Sequence, residues 1–185
     1  MVHVYVPRAI SRAIQAGVKS IEHGHLIDEP TMELIAKKDV WLCMQPFTLE
    51  DNKFATPEQQ AKHEIVVEGT DNTYRLAKKY QVNLAWGTDL LFNPANTVNQ
   101  NQGIIKLQKW FSNYEILKMI THDNAELLAL SGSRNPYPGK LGIIVEGAWA
   151  DMILVNGNVM EDISLLGEPE KNIVMIMKDG KIIRS

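Results

Sequence analysis

The sequence predicts an α/β fold: a parallel sheet or barrel of βαβ units, followed by a smaller segment of short β-strands. Three observations carry that expectation. Strand-like and helix-like runs alternate four times between Met1 and Asp89, and such alternation marks parallel βαβ units. From Gly139 onward the texture changes to short apolar segments broken by glycine turns. Three of the predicted strands carry or end in His3, His23 and Asp89, and parallel sheets gather functional side chains at the carboxyl ends of their strands.

Val2 to Val6 is a β-branched and aromatic run, expected as the first strand. Pro7 suits the start of a helix, and Ala9, Ile10, Ala13 and Ile14 recur at helical spacing until Gly17 ends it. Val18 to Glu22 reads as the second strand. Asp28 is placed to cap a helix with Met32, Ile35 and Ala36 on one side, closing at Lys37 and Lys38, whose charges suit the C-terminal dipole. Val40 to Met44 is the third strand. Thr56-Pro57-Glu58-Gln59 is a capping box; the helix it opens is expected to falter around Gly69-Thr70-Asp71-Asn72 and to resume as far as Tyr80. Val82 to Asp89, "VNLAWGTD", is the fourth strand.

An Asn-rich loop is expected from Asn93 to Gln102, and the capping box Ser112-Asn113-Tyr114-Glu115 opens another helix. The β segments "KLGIIVEG", "ADMILVNGN" and "VMIMKDGKIIRS" follow, the last a hairpin around Asp179-Gly180. A boundary between Ser133 and Gly139 divides the chain into residues 1–134 and 135–185.

Composition excludes several classes. At 185 residues, 45% hydrophobic and 22% charged, the chain is ordinary globular material able to bury a core. A net charge of −3 with scattered Lys and Arg argues against nucleic-acid binding. The single cysteine, Cys43, excludes an internal disulfide and fits a reducing compartment. No apolar run approaches the ~20 residues that span a bilayer, and no basic-then-apolar leader precedes the first strand. A cytoplasmic protein without membrane partners is therefore expected.

Two imidazoles and a carboxylate suit zinc or a similar first-row divalent ion. Taken singly, His3, His23 and Asp89 read equally as hydrogen-bonded strand-end residues; together, each at a strand's carboxyl end, they are a candidate site. Alternation places Ala85, Gly87 and Asp89 on one face, with room above the two small residues. It likewise pairs His3 with Tyr5, and Ile21 with His23, which turns Glu22 toward the helical layer. His25 lies in the loop beyond, where an exposed ring is expected unless it touches substrate. His63 and His122 read as solvated or packed helical residues, Cys43 as a small core residue, and the 4 tryptophans as packing.

The stretches "VHVY…AIQAGVKSIEHG", "LAWGTD", "THDNAELLAL" and "GKLGIIVEGAWADMILVNGNVMEDI" resemble the C-terminal half of the amidohydrolase superfamily. They resemble in particular its imidazolonepropionase-like and Xaa-Pro dipeptidase-like members. The resemblance runs along essentially the whole chain. It implies a metal-dependent (β/α)8 barrel, represented here by about strands five to eight, plus the C-terminal part of a small β-sandwich. It further implies that His3, His23 and Asp89 are metal ligands, on the fifth, sixth and eighth barrel strands. Asp89 would also be the catalytic base, and Tyr5 and His25 would contact substrate. The implied reaction is hydrolysis of C–N bonds in amides, cyclic amides or dipeptides, with one or two divalent ions, zinc first, and a small-molecule or dipeptide substrate.

The family also has a His-x-His pair on its first strand and often a carboxylated lysine on its fourth. The one His-x-His in this chain, His23 to His25, falls at the sixth-strand position. A whole barrel takes about 250 residues, so the expectation is a C-terminal fragment, inactive alone. It would self-associate or pair with a missing N-terminal half to cover open strand edges. The other expectation is a non-catalytic half-barrel remnant that acts through self-association or partner binding.

Overall fold

The structure is a computed structural model that describes residues 1–49, 56–90, 94–137 and 139–185. It forms two compact units, Met1–Gly87 and Thr88–Ser185. This division follows packing, whereas the boundary at 134/135 follows sequence texture.

In the first unit the expected alternation is present in full. It runs β1 (Val2–Val4), α1 (Pro7–Gln15), β2 (Ser20–His23), α2 (Glu29–Lys37), β3 (Trp41–Met44), α3 (Pro57–Tyr80) and β4 (Leu84–Trp86). The strands pair in parallel in the order β1-β2-β3-β4. The signals act as read: Pro7 opens α1, and Gly17 follows it at φ 88°, a left-handed turn that favours glycine. The Asp28 carboxylate accepts from the Thr31 N–H at 3.0 Å, and the Thr56 hydroxyl from the Gln59 N–H at 3.2 Å, each satisfying an N-terminal donor that the helix leaves open. Ile10, Ile21, Met32, Ile35 and Leu42 are completely buried and form the centre of the core.

Register corrects one expectation. His3 pairs with Glu22, Glu22 with Cys43, and Cys43 with Ala85, so these four residues share one face. Val2, Ile21, Leu42 and Leu84 form the opposite row, with Ile21 and Leu42 sealed in the core. Glu22 is thus on the His3 face, not toward the helical layer, and it accepts from the Ser20 hydroxyl. His23 does not follow the pleat. Its φ of 78° is uncommon for a non-glycine residue, and it turns the chain out of the strand's alternation at that point.

Two further expectations are revised. α3 runs unbroken for 24 residues through Gly69. The glycine is there for proximity rather than for a break: a Cβ on Gly69 would lie 2.1 Å from the His25 carbonyl oxygen. Next to it the Thr73 hydroxyl donates to the Gly24 and His25 carbonyls at 3.3 and 3.1 Å, and the Asn72 amide to the Ile27 carbonyl at 3.1 Å. This face of α3 therefore clamps the loop after β2. The fourth strand is shorter than the apolar run that predicts it, ending at Trp86, although the Gly87 N–H still reaches the Met44 carbonyl at 3.3 Å.

The second unit begins with helical turns. The described part of the Asn-rich stretch is a 3-10 helix, Pro94–Asn99, rather than a loop; Asn93 lies outside the described residues. After α4 (Gln102–Lys106), the helices α5 (Asn113–Lys118) and α6 (Asn124–Ala129) are joined by a π-helical turn, Met119–Asp123. The Ser112 capping box is complete. Gly142 sits against this turn at φ 73°, where a Cβ would come within 2.6 Å of the Thr121 carbonyl oxygen. The "THDNAELLAL" and "GKLG" stretches are thus packed on each other. "KLGIIVEG" forms only an isolated bridge, Lys140 to Ala148. β5 (Met152–Val155), β6 (Ile173–Lys178) and β7 (Lys181–Arg184) make an antiparallel sheet, and α7 (Pro169–Asn172) precedes β6. The β6–β7 turn has positive φ at both Asp179 and Gly180, as the tight Asp-Gly hairpin requires.

Candidate metal centre and active site

β1, β2 and the turns that follow them bring together four of the five predicted site residues. The rings of His3 and His23 have centroids 4.3 Å apart, at 75° to each other. Tyr5 stacks on His23 at 4.7 Å with planes 8° apart, and stands 5.3 Å edge-on to His3. His25 is 5.7 Å from Tyr5 and 6.0 Å from His23. The left-handed backbone at His23 and Gly24, φ 78° and 65°, makes the arrangement possible by turning the His23 ring toward His3.

Burial grades the cluster: His3 is exposed and Tyr5 half-buried, while His23 and His25 are buried. His25 is therefore not the exposed loop histidine that its sequence position suggests, because α3 and Phe47, whose ring lies 4.8 Å away, close over it. His63 is likewise packed, its Nε2–H donating to the Thr48 carbonyl at 3.1 Å. Cys43 is a buried thiol, as read.

One residue that sequence reasoning passed over holds both buried imidazoles. Gln45, itself buried, accepts at its side-chain Oε1 from His23 Nδ1–H at 2.7 Å, and at its main-chain oxygen from His25 Nε2–H at 3.0 Å. A polar residue directly after the apolar strand Trp41–Met44 was its sequence signal. It follows the last residue of β3, one position beyond the level of His23 in the parallel register.

Burial lowers the His25 pKa to about 4, and the neighbouring His23 adds to the effect, while the hydrogen bond to the Gln45 carbonyl opposes it. The ring is neutral at physiological pH, and its Nδ1 is buried without a hydrogen-bond partner among the described residues. The unfolded chain takes up a proton near pH 6.5 that the folded ring refuses until about 4, so stability falls as pH drops through that window. The effect is on the order of 3 kcal/mol. Urea midpoints measured across the window are expected to decline for the natural chain, and to decline less for His25→Phe.

Asp89, the fifth predicted site residue, belongs to the second unit, exposed and at φ 50°. Among the described residues no group of three or more His, Cys, Asp or Glu side chains is arranged to hold a metal ion. Two imidazoles do fit part of a shell. A His23 ring that donates from Nδ1 presents its lone pair at Nε2, and a histidine ligand characteristically gives its other N–H to an oxygen acceptor.

The profile of the amidohydrolase family matches residues 1–183. The chain belongs to that family. It is similar to the ochratoxinase of Aspergillus niger, 29% identical over 187 aligned residues that cover 98% of this chain and 37% of the ochratoxinase. Among solved structures, a prolidase bound to N-methylphosphonate-L-proline superposes with a TM-score of 0.83 at 26% identity, covering 98% of this chain and 44% of the prolidase. A Xaa-Pro dipeptidase with methionine in its active site superposes with a TM-score of 0.79 at 28% identity, covering 99% and 44%. This amidohydrolase chain thus spans less than half the length of the relatives it matches. The family is one of hydrolases, and its members generally use divalent metals.

Proposed function

We propose that the chain is the C-terminal half of a metal-dependent hydrolase of amide, cyclic amide or dipeptide C–N bonds. Residues 1–134 would supply strands five to eight of a (β/α)8 barrel, and 135–185 part of a β-sandwich. The observation that carries this reading is the His3–His23 pair at adjacent parallel strand ends, with Gln45 behind it. The sequential strand order β1-β2-β3-β4 supports the barrel, and the named hydrolytic relatives support the bond type.

In this reading His3, His23 and Asp89 would hold a divalent ion, zinc first. When bound, such an ion brings the pKa of water toward neutrality. Asp89 accepts the proton of the attacking water and returns it to the leaving nitrogen. Tyr5, half-buried beside both imidazoles, and His25 bound the substrate side. The remaining ligands come from the N-terminal half, so the 185-residue chain alone is expected to turn over little substrate. A small-molecule or dipeptide substrate and a cytoplasmic setting complete the reading. Replacing His23 with Ala is expected to lower the zinc content of purified protein, measured by atomic absorption. Unchanged zinc would remove His23 from the ligand set.

The other reading, a half-barrel that acts only by association, draws on the exposed apolar side chains of β5 and β7: Ile153, Leu154, Ile182 and Ile183, each at least 50% exposed. On either reading the purified chain is expected to self-associate. A monodisperse monomer in light scattering at tens of micromolar would count against that expectation.

A further inference from the structure

We infer that Gln45 is a positioning residue that sets the tautomer of His23, so that Nδ1 carries the proton and Nε2 the lone pair. A free histidine ring favours the opposite form, with the proton on Nε2. The structure supplies what inverts that preference: a buried amide oxygen 2.7 Å from Nδ1. A carbonyl-type oxygen can only accept, so the proton must be on the ring.

The amide itself is held in place. Gln45 is 5% exposed and follows β3 directly. Its main-chain oxygen is engaged by His25 Nε2–H, which anchors the backbone from which the side chain reaches His23. On its far side the amide nitrogen faces Gly87, where a Cβ would stand 3.8 Å from Nε2 and 3.5 Å from the Cys43 sulfur. Both are ordinary van der Waals distances, so the Gly87 backbone packs beside the amide without crowding it. Tyr5, stacked on the His23 ring at 4.7 Å with planes 8° apart, hinders the imidazole from turning out of its plane. One residue thus orients two histidines, one through its side chain and one through its backbone, and only the first bond is accessible to substitution.

The choice of glutamine has a chemical consequence. A carboxylate at this place would accept the same proton but add a buried negative charge beside the cluster, which is costly without a partner. The neutral amide selects the tautomer without that charge. The inference rests on the metal-site reading only for its purpose, because the tautomer exists and can be measured with no metal present.

The test is the nitrogen-15 spectrum of the histidine rings in the metal-free 185-residue chain, at about pH 8.5, two units above the imidazole reference. The pyrrole-type and pyridine-type nitrogens are well separated there, and His23→Gln identifies the His23 signals by their loss. The natural chain is expected to show His23 protonated at Nδ1. Gln45→Met, of similar length and without an acceptor, is expected to shift His23 toward the Nε2–H form and leave His25 unchanged. Gln45→Glu is expected to restore Nδ1–H. A natural chain with Nε2–H at His23 overturns the inference with no variant needed, as does a folded Gln45→Met that keeps Nδ1–H. Failure of the metal reading shows up separately: Nδ1–H at His23 in a chain whose zinc content does not depend on that residue.

Discussion

Gly69→Ala is expected to destabilise the first unit by about 3 kcal/mol, against the direction that helix propensity alone dictates. In an ordinary helix interior the change would stabilise by roughly 1 kcal/mol, because glycine carries the larger backbone entropy. Here the added methyl carbon would lie 2.1 Å from the His25 carbonyl oxygen, and 2.9 Å from a Leu26 methyl. The first neighbour is backbone and cannot swing aside, so either α3 or the loop after β2 must move. Overpacking of this kind costs about 1–3 kcal/mol or more. It would also stretch the Thr73 bonds to the Gly24 and His25 carbonyls. The melting temperature is expected to fall by roughly 10 °C, at 2–4 °C per kcal/mol for a chain of this size. Glu68→Ala, one residue earlier and exposed, is the control and is expected to stay within about 0.5 kcal/mol. A Gly69→Ala chain as stable as the natural one would show that the helix does not clamp the loop.

That same contact shows where the sequence stops being legible. Proline, Asp28 and Ser112 announce helix starts because capping is a local event, decided within one turn. The Asp179-Gly180 hairpin is legible for the same reason. Gly69 is different: its purpose lies 44 positions away in sequence, at His25, so locally it reads as a break. Glu22 and His23 show a second limit. Alternation assumes an unbroken pleat, and one left-handed residue at the strand end carries His23 out of the row that its parity assigns. The imidazole pair could be found from residue type and strand position, but the face of Glu22 could not. Gln45 was missed because a glutamine is neither a metal ligand nor a base. Its role is visible only once the strand ends are side by side and its oxygen is seen against the His23 ring.

Asp89→Asn is expected to lower kcat by about 100- to 10,000-fold in a full-length enzyme that carries this chain, the range associated with losing a general base. The backbone makes asparagine the right replacement. Asp89 sits at φ 50°, a conformation that Asn tolerates better than almost any residue except glycine. Alanine there would add strain of about 1–2 kcal/mol and confuse a folding defect with a chemical one. Asparagine keeps the shape and one oxygen but cannot take up a proton at neutral pH. Metal content is the second measurement, since the proposed role is double. If Asp89 acts as base and ligand together, Asp89→Asn loses turnover and weakens zinc retention, whereas His23→Ala loses zinc first and turnover as a result. A variant that keeps its zinc and loses activity would leave Asp89 as base alone. Activity within tenfold of the natural enzyme would move the proton transfer to another residue, and Glu22, which the register places on the His3 face, would be the next carboxylate to replace.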